Sequence, residues 1–362
     1  MARSSRTFSA FDHFLALCFG QLTYRESLRD IVTCLSARPE LQYHLGFRGR
    51  VTRTNFAYAN QHRDWRVFAG VAQILMRRAA RLYQNAQGQV ELPELVFALD
   101  ASIIDLSLKL FPWLYYARSK GSAVKLHTLL SLKGNLPAWA AITEADFADQ
   151  KILDQLPVQT GAYYILDRGY LDFTRLIRFE RAGAFFIVRS KCHVSLRVIE
   201  SRAIDKKSGL RCDQVVRLRS SWSRHAYPNP LRKIRYRDGE HQRSFVFLTN
   251  NFELEPETIC ALYRSRWQIE LFFKWIKQHL KIRGFFGRSE NAIRSQIWTA
   301  ICSYLLVAIA KKQHQLPQSL YEILQVLSVS AFEQIALREL LTKPQSDHSQ
   351  LELPNLLELS AL

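Results

Sequence analysis

A narrow stripe of ionisable side chains runs along the apolar segment 261–277, which reads ALYRSRWQIELFFKWIK. At about 100° per residue, a helical wheel brings its members into an arc of roughly 80°. They are Tyr263, Arg266, Glu270, Lys274 and Lys277. A carboxylate suits a hard divalent metal ion, and the surrounding cations suit phosphate. The alternative is a solvated helix face with ion pairs such as Glu270–Lys274, but the apolar remainder favours a buried helix that faces a charged site.

Two apolar segments that predict β-strands each end in an aspartate. LVFALD ends at Asp100, and AYYILDRGY carries Asp167. Neighbouring strands can present both carboxylates side by side, and a helix packed on the sheet can add Glu270. Converging buried carboxylates repel each other, which raises their pKa unless cations share the site. Two Mg²⁺ or Mn²⁺ ions about 3.5–4 Å apart offset this repulsion and perform phosphodiester chemistry. Two strand aspartates together with a helix glutamate are the RNase H-like arrangement.

Several nearby residues compete for these roles. Asp105 is an alternative to Asp100 but lies beyond the predicted strand, and Asp172 is an alternative to Asp167 but suits a helix N-cap. His127 is expected to be structural, with a phosphate contact as the alternative. Two tryptophans of the same segment, Trp267 and Trp275, are expected to lie in the core.

Helical patterns occupy the N-terminal part of the chain, residues 8–84. The sequence predicts a capping box at Thr23 and Glu26, an N-cap at Thr54 and a helix from 64 to 83. A short helix between two longer ones, with basic loops, resembles a helix-turn-helix arrangement, and a plain helical bundle is the alternative.

Strand patterns follow, including a β-hairpin that turns at Gly134–Asn135 and two later strands, AFFIVR and FVFLTN. The segment 190–244 between those two strands is basic and irregular in pattern. Helical patterns return at 257–281, 289–314 and 317–342. The apolar run IWTAICSYLLVAIA is too short to span a bilayer, so it predicts a buried helix.

The composition indicates a polyanionic partner. The 362 residues include 50 Lys and Arg against 32 Asp and Glu, which gives a formal charge of +18. Such a field attracts nucleic acid or acidic membranes. Residues 171–250 alone hold eighteen Lys and Arg against seven Asp and Glu, an excess of the kind that follows a phosphate backbone. None of the six cysteines forms a CxxC pair, which argues against a zinc site.

The stripe also carries a family resemblance. Tyr263, Arg266, Glu270 and Lys277 match the Tyr-(2)-Arg-(3)-Glu-(6)-Lys spacing of the DDE transposases of bacterial insertion sequences. More narrowly, the chain resembles the insertion sequence 4 family, which also contains the transposon five enzyme. The resemblance covers most of residues 10–315, through FALDASIIDL, AVKLHTLL, YILDRGYLDF, FLTNNFEL, IELFFKWIKQHLKI and GRSENAIRSQIW.

We therefore expect an α/β fold: an RNase H-like catalytic core with a basic β-rich insertion, flanked by N-terminal and C-terminal helical regions. The expected divisions are a helical DNA-binding region (1–88), a first part of the core (89–189), the insertion (190–244), a second part of the core with the catalytic helix (245–315), and a C-terminal helical region and tail (316–362).

The resemblance implies that Asp100, Asp167 and Glu270 form a catalytic triad that binds Mg²⁺ or Mn²⁺, with two ions. Many relatives read Ser-Thr-Thr after the first aspartate, whereas this chain departs from them with Ala101, Ser102 and Ile103.

The resemblance also implies contacts with DNA. The family residues that match Tyr263, Arg266 and Lys277 contact phosphates near the cleaved end, and Lys274 belongs to the same stripe. In relatives that pass through a DNA hairpin, an aromatic residue of the insertion stacks on an extruded base. Trp222 is the candidate for that role, with packing as the alternative.

The implied function is a DNA transposase that cuts at the ends of an insertion sequence and transfers the strand into target DNA. Its expected partners are double-stranded DNA, at the element ends and the target, and a second copy of the chain in a synaptic homodimer. No membrane is expected, and the expected location is the bacterial cytoplasm, at the nucleoid. The alternatives are an RNase H-like nuclease without integration and a domesticated DNA-binding protein, although the latter would not need three carboxylates.

Overall fold

A computed structural model of the chain describes residues 8–86, 88, 90, 92–106, 115–116, 121–239, 242–280, 282, 284–333 and 335–342. The tail that the sequence predicts after the last helix lies outside these residues.

The N-terminal part is helical, as predicted. Its helices are α1 (Ala10–Leu22), α2 (Leu28–Ser36), α3 (Pro39–Gln42), α4 (Arg53–His62) and α5 (Arg66–Leu82).

Two of the predicted N-caps in this part were wrong. Thr23 is the C-cap of α1, where its hydroxyl donates to the Phe19 carbonyl, and Ser27 caps α2 instead. Thr52 caps α4 in a reciprocal capping box with Asn55, two residues before the predicted Thr54.

Ten strands form one sheet within the described residues. They are β1 (Val96–Leu106), β2 (Tyr115–Tyr116), β3 (Gly121–Ser131), β4 (Leu136–Glu144), β5 (Tyr163–Leu166), β6 (Phe185–Arg189), β7 (Leu196–Ser201), β8 (Leu210–Leu218), β9 (Leu231–Asp238) and β10 (Arg243–Thr249). The order is β2-β3-β1-β5-β6-β10-β9-β8-β7, and β4 also pairs with β3. Strands β1, β5 and β6 are parallel, and the other pairings are antiparallel.

The basic segment 190–244 is more regular than its sequence pattern indicates. It contains β7, β8 and β9 together with a short helix, α7 (Ser221–Ala226). Because β10 pairs with both β6 and β9, these strands extend the central sheet rather than forming a separate layer. The helix α6 (Phe173–Arg181) connects β5 to β6.

The C-terminal part contains α8 (Pro256–Ser265), α9 (Trp267–His279), α10 (Glu290–Gln313), α11 (Leu320–Ser330) and α12 (Leu337–Thr342). The single helix predicted over 257–281 is therefore divided at Arg266. There the backbone hydrogen bonds change from the α-helical pattern to the 3₁₀ pattern, in which they join residues three apart. The helix predicted over 317–342 is likewise divided into α11 and α12.

Buried side chains form two layers, one on each face of the sheet. Helices α1, α4, α5, α8, α9 and α10 pack on one face, and α6 with α7 packs on the other. Helix α10 is long and apolar enough to cross a membrane, but 89% of its apolar window is buried inside the protein. It is the buried core helix that the sequence predicted.

Candidate active site

Asp100 and Asp167 emerge side by side from neighbouring parallel strands. The last paired residues of β1 and β5 are Leu99 and Leu166, so each aspartate is the next residue in register. Side chains alternate along a strand. Asp100 follows Val96 and Ala98 at intervals of two residues, and Asp167 follows Tyr163 and Ile165 in the same way. These residues pack under α8 and α9, so both aspartates point to that face of the sheet.

Strand β1 does not end at Asp100, as the sequence had suggested. It continues to Leu106, paired with β3, because its alternating residues Ile104 and Leu106 are still buried. Asp105 therefore lies within the strand, exposed on the opposite face from Asp100. Asp172 accepts a hydrogen bond from the Arg175 N–H as the N-cap of α6. Neither alternative carboxylate faces the site.

The break between α8 and α9 places Arg266 among the carboxylates. Its guanidinium donates to Asp100 Oδ2 at 2.9 Å and to Glu270 Oε1 at 2.5 Å. The Tyr263 hydroxyl donates to Asp167 Oδ1 at 3.0 Å, and the Ala101 N–H donates to Asp100 Oδ1 at 2.8 Å. These contacts connect Asp100 and Asp167 to the stripe of ionisable residues on α8 and α9.

The site is electrostatically crowded. Burial raises the pKa of Asp100, and the negative charges of Asp167 and Glu270 raise it further, while Arg266 opposes this change. Burial lowers the pKa of Arg266, but Asp100 and its other anionic neighbours outweigh that effect and raise it. The arrangement needs positive charge to keep its carboxylates ionised.

The side chains at this site offer the kind of donor atoms that a divalent cation binds. The three carboxylates supply hard oxygen donors. Within the described part of the chain, no three His, Cys, Asp or Glu residues are already gathered as a metal cage. Beside these carboxylates, the buried Tyr170 hydroxyl and Arg266 Nε have no hydrogen-bond partner among the described residues. The donors and charges fit a cation, and the Arg266 guanidinium lies between two of the donors.

Tyr170 was not predicted as a site residue. Its side chain is 2% exposed, burial raises the pKa of its hydroxyl, and the charges of Asp100, Asp149 and Asp167 raise it further. The only sequence signal was its position in the DRGY run, three residues after Asp167.

The other members of the stripe differ in their surroundings. Lys277 donates to the Ile103 carbonyl of β1 at 2.7 Å, whereas Lys274 is exposed. Trp267, which was expected in the core, is 58% exposed and borders a cleft that also contains Glu270. Trp275 is half-buried against the Tyr304 ring, as expected of a core residue.

His127 is buried and structural. Its Nε2 lies 2.9 Å from Thr143 Oγ1 across β3 and β4, and burial lowers its pKa to about 4. Trp222 lies on α7 and is 70% exposed, so it is not a packing residue in this structure.

A basic cleft of about 790 Å³ adjoins the residue after Asp167. Its lining includes the cations Arg168, Arg189, Lys191 and Lys233. Arg189 also borders the cleft that contains Glu270, so it connects the insertion to the carboxylates. Sequence reasoning did not single out Arg189, whose only signal was its place at the end of AFFIVR.

Comparison with known proteins shows which family the chain belongs to. The family described as Transposase DDE domain matches residues 91–306, which include all three carboxylates. The chain belongs to the DDE transposase family. A domain of unknown function also matches residues 1–48. The function predicted from the sequence is thereby confirmed: the protein is a DNA-binding transposase, which cleaves DNA and transfers strands, and its family uses divalent metal ions.

Several insertion-sequence proteins resemble the transposase. It is 33% identical over 285 residues to a putative transposase, y4zB, of Sinorhizobium fredii, covering 76% of each chain. It is 30% identical over 228 residues to the probable transposase of element IS5377 of Geobacillus stearothermophilus, covering 62% of this chain and 59% of that one. It is 26% identical over 313 residues to the putative transposase of element IS4SA of Synechocystis, covering 82% and 84%.

Among solved structures, the piggyBac transposase synaptic complex with hairpin DNA matches with a TM-score of 0.40 and 9% identity, covering 70% of this chain and 55% of that one. A likeness at this level carries no weight for function.

Proposed function

We propose that Asp100, Asp167 and Glu270 are the catalytic, metal-binding triad of a cut-and-paste transposase. The observation that carries the proposal is the bridge by Arg266 between a strand carboxylate and a helix carboxylate, 2.9 Å and 2.5 Å away. A cation held between carboxylates marks a place where positive charge is required. The adjacent register of Asp100 and Asp167 adds the third carboxylate.

We propose that the catalytic core is RNase H-like. The order β4-β3-β1-β5-β6, with antiparallel pairing up to β1 and parallel pairing after it, supports this assignment. On this proposal 89–189 and 245–315 form the core, 190–244 the basic insertion, and 1–88 and 316–362 the flanking regions, of which the first binds DNA.

We propose Mg²⁺ or Mn²⁺ as the cofactor, with two ions. When bound, such ions activate water or a 3′-hydroxyl and stabilise the leaving oxygen. Asp100, Asp167 and Glu270 would hold them through carboxylate oxygens. Tyr263 fixes the orientation of Asp167, to which it donates. Arg266 would exchange its carboxylate partners for a phosphate of the cleaved end, because a guanidinium can bind either type of oxyanion.

The remaining cations would hold the DNA. Lys274 and Lys277 follow Arg266 along α9, and the basic cleft continues from Arg189 into the insertion. Trp222 is exposed on α7, where it could stack on an extruded base. We further propose a homodimer in the synaptic complex and, because the substrate is DNA, a location at the bacterial nucleoid in the cytoplasm.

The test uses three nearly isosteric variants: Asp100→Asn, Asp167→Asn and Glu270→Gln. Each should abolish Mg²⁺-dependent cleavage of a duplex that carries the element end, while a gel-shift assay in Ca²⁺ shows binding largely intact. Asp105→Asn is the matched control, since Asp105 is on the same strand but faces away. Cleavage that persists in two of the three variants would contradict the triad.

Transfer into target DNA is measured separately. The wild-type protein should join a pre-cut end with a free 3′-hydroxyl to a supercoiled plasmid. The triad variants should fail at this step as well, because both steps would use the same carboxylates.

A further inference from the structure

The break between α8 and α9 is a turn of 3₁₀ geometry. The Arg266 N–H donates to the Tyr263 carbonyl at 3.2 Å, and the Ile269 N–H donates to the Arg266 carbonyl at 3.0 Å. The Arg266 backbone, at φ −53° and ψ −27°, lies in the 3₁₀ range. Residues 257–279 contain no glycine or proline, which are the common causes of a helix break. Another feature of this segment must therefore produce the break.

Ser265 provides that feature. Its side chain is 4% exposed, and its hydroxyl donates to the Leu262 carbonyl at 2.6 Å. In an uninterrupted α-helix this carbonyl would accept from the Arg266 N–H, four residues further on. A side chain that enters the backbone hydrogen-bond ladder in this way bends a helix. The Leu262 carbonyl thus keeps a donor while the Arg266 N–H turns to Tyr263.

Gln268 holds the other side of the break. Asn135 Nδ2 donates to Gln268 Oε1 at 3.1 Å, from the turn between β3 and β4. That turn is itself held in place. The Tyr304 hydroxyl of α10 donates to the Asn135 carbonyl at 3.0 Å, and a Cβ on Gly134 would lie 2.4 Å from the Tyr83 ring. The first turn of α9 is therefore fixed to the sheet.

The 3₁₀ turn aligns two side chains of the site. Residues three apart differ by about 60° around an α-helix, whereas in a 3₁₀ turn they eclipse. Accordingly, Arg266 Cζ lies 5.9 Å from the centre of the Tyr263 ring. Three residues of 3₁₀ turn rise about 6 Å, close to the spacing of about 4.8 Å between neighbouring strands. The eclipsed pair therefore matches the two strand ends: Tyr263 donates to Asp167, and Arg266 donates to Asp100.

We propose that Ser265 and Gln268 are positioning residues of the transposase. They hold the 3₁₀ turn and thereby orient Tyr263 and Arg266 towards the two aspartates. Each acts through Arg266 rather than on the substrate itself. This inference rests on the proposed function, in which Arg266 passes from the carboxylates to a phosphate of the DNA end. A relaxed α-helix would rotate its guanidinium away from both, and a displacement of about 1 Å can reduce a rate a hundredfold.

The alternative is that both residues only stabilise the helices. The two roles differ in how they depend on Arg266. Alanine is the best helix former, so Ser265→Ala favours an uninterrupted helix. With Arg266 present, that helix would draw the guanidinium away from Asp100 and Glu270. In an Arg266→Met background these two contacts no longer exist, so the same substitution has little left to disrupt.

Urea unfolding in EDTA measures this dependence without DNA or a metal ion. Ser265→Ala should lower the unfolding midpoint of the otherwise wild-type protein, and should leave the midpoint unchanged or higher in the Arg266→Met background. Such a double-mutant cycle isolates the coupling between two residues. Ser295→Ala is the matched control, since Ser295 is a buried serine of α10, and its effect should be equal in both backgrounds. Equal shifts by Ser265→Ala would overturn its positioning role.

Gln268 is tested by the same cycle. Gln268→Ala should lower the midpoint more in the otherwise wild-type protein than in the Arg266→Met background, because its bond to Asn135 holds the turn that carries Arg266. Gln278→Ala is the matched control, since Gln278 is exposed on the same helix. An equal loss in both backgrounds would reduce Gln268 to a structural contact.

Single-turnover cleavage of an element-end duplex measures the consequence for the reaction. Ser265→Ala should slow cleavage at saturating protein by at least about tenfold. Ser265→Thr should stay within about threefold of the wild-type rate, because a threonine hydroxyl can bond to the same carbonyl. A wild-type rate in both Ser265→Ala and Gln268→Ala would overturn the proposal.

The two kinds of measurement separate this inference from the proposed function. If the wild-type protein failed to cleave the element end, the proposed function would fall, while coupling in the unfolding cycle would still support the role of the 3₁₀ turn. Normal cleavage by the wild-type protein, together with equal shifts in both backgrounds, would overturn the positioning role and leave the proposed function standing.

Discussion

The Arg266 bridge predicts that one substitution destabilises the protein more without a divalent cation than with one. Arg266→Met removes the guanidinium between Asp100 and Glu270 but keeps most of the side-chain volume. Removing one partner of a fully buried ion pair costs about 3–5 kcal/mol. Because the side chains of Asp100 and Glu270 are 25% and 35% exposed, water solvates them in part. We therefore expect a loss of about 2–3 kcal/mol in the free energy of unfolding in EDTA.

A bound cation should offset that loss. At a free Mn²⁺ concentration one hundred times its dissociation constant, binding to the native state alone adds about 2.7 kcal/mol. The wild-type protein should gain less at the same concentration, because its carboxylates must first release Arg266. The difference in stability between variant and wild type should therefore shrink in Mn²⁺.

Urea unfolding followed by tryptophan fluorescence, in EDTA and in Mn²⁺, measures both quantities. Lys274→Met is the control, since Lys274 is exposed on the same helix and should change stability by less than about 0.5 kcal/mol. Equal stability of Arg266→Met and wild type in EDTA, or a difference that Mn²⁺ leaves unchanged, would refute the reasoning.

Three further predictions concern other side chains. Tyr170→Phe removes a buried hydroxyl that has no partner among the described residues, so it should raise the free energy of unfolding in EDTA by about 1 kcal/mol. The same variant should gain less stability from Mn²⁺ than the wild-type protein. If the stability in EDTA and the stabilisation by Mn²⁺ changed in the same direction, a role of Tyr170 towards the cation would be contradicted. Burial lowers the pKa of His13 to about 3, so the unfolded chain takes up a proton first as the pH falls below about 6.5. Wild-type stability should fall by about 1.4 kcal/mol per pH unit more than that of His13→Phe between pH 6 and pH 4, and parallel curves in urea titrations would exclude this cause. Trp222→Ala should spare first-strand nicking and impair formation or resolution of a hairpin, since stacking is worth about 1–3 kcal/mol per base; an unchanged ratio of nicked, hairpin and blunt products would exclude stacking.

The sequence by itself determined the local features of this protein. Short apolar runs predicted the strands that lead to Asp100 and Asp167, because a strand that is covered on both faces of the sheet is apolar throughout. Helical spacing placed Arg266 and Glu270 on one face, because residues four apart are neighbours on a helix. The order of the two aspartates and the stripe, together with the spacing of the stripe, was sufficient to identify the family.

Tertiary structure decided what depends on pairing between distant segments. The continuation of β1 past Asp100 follows from its pairing with β3, and the extension of the sheet through β9 follows from the two-sided pairing of β10. Trp267 is exposed because the helix breaks at Arg266 beside an open cleft, which an apolar pattern along one helix does not reveal.

The position of α4 is likewise decided by packing, on α1, α2 and α10. The sequence of α4 shows a basic stretch with a predicted N-cap, while Asn291 of α10 donates to the carbonyls of Asn60 and Arg63. Those partners are more than 220 positions apart in the chain. Local propensity does not extend over such separations, so only the folded chain brings α4 and α10 together.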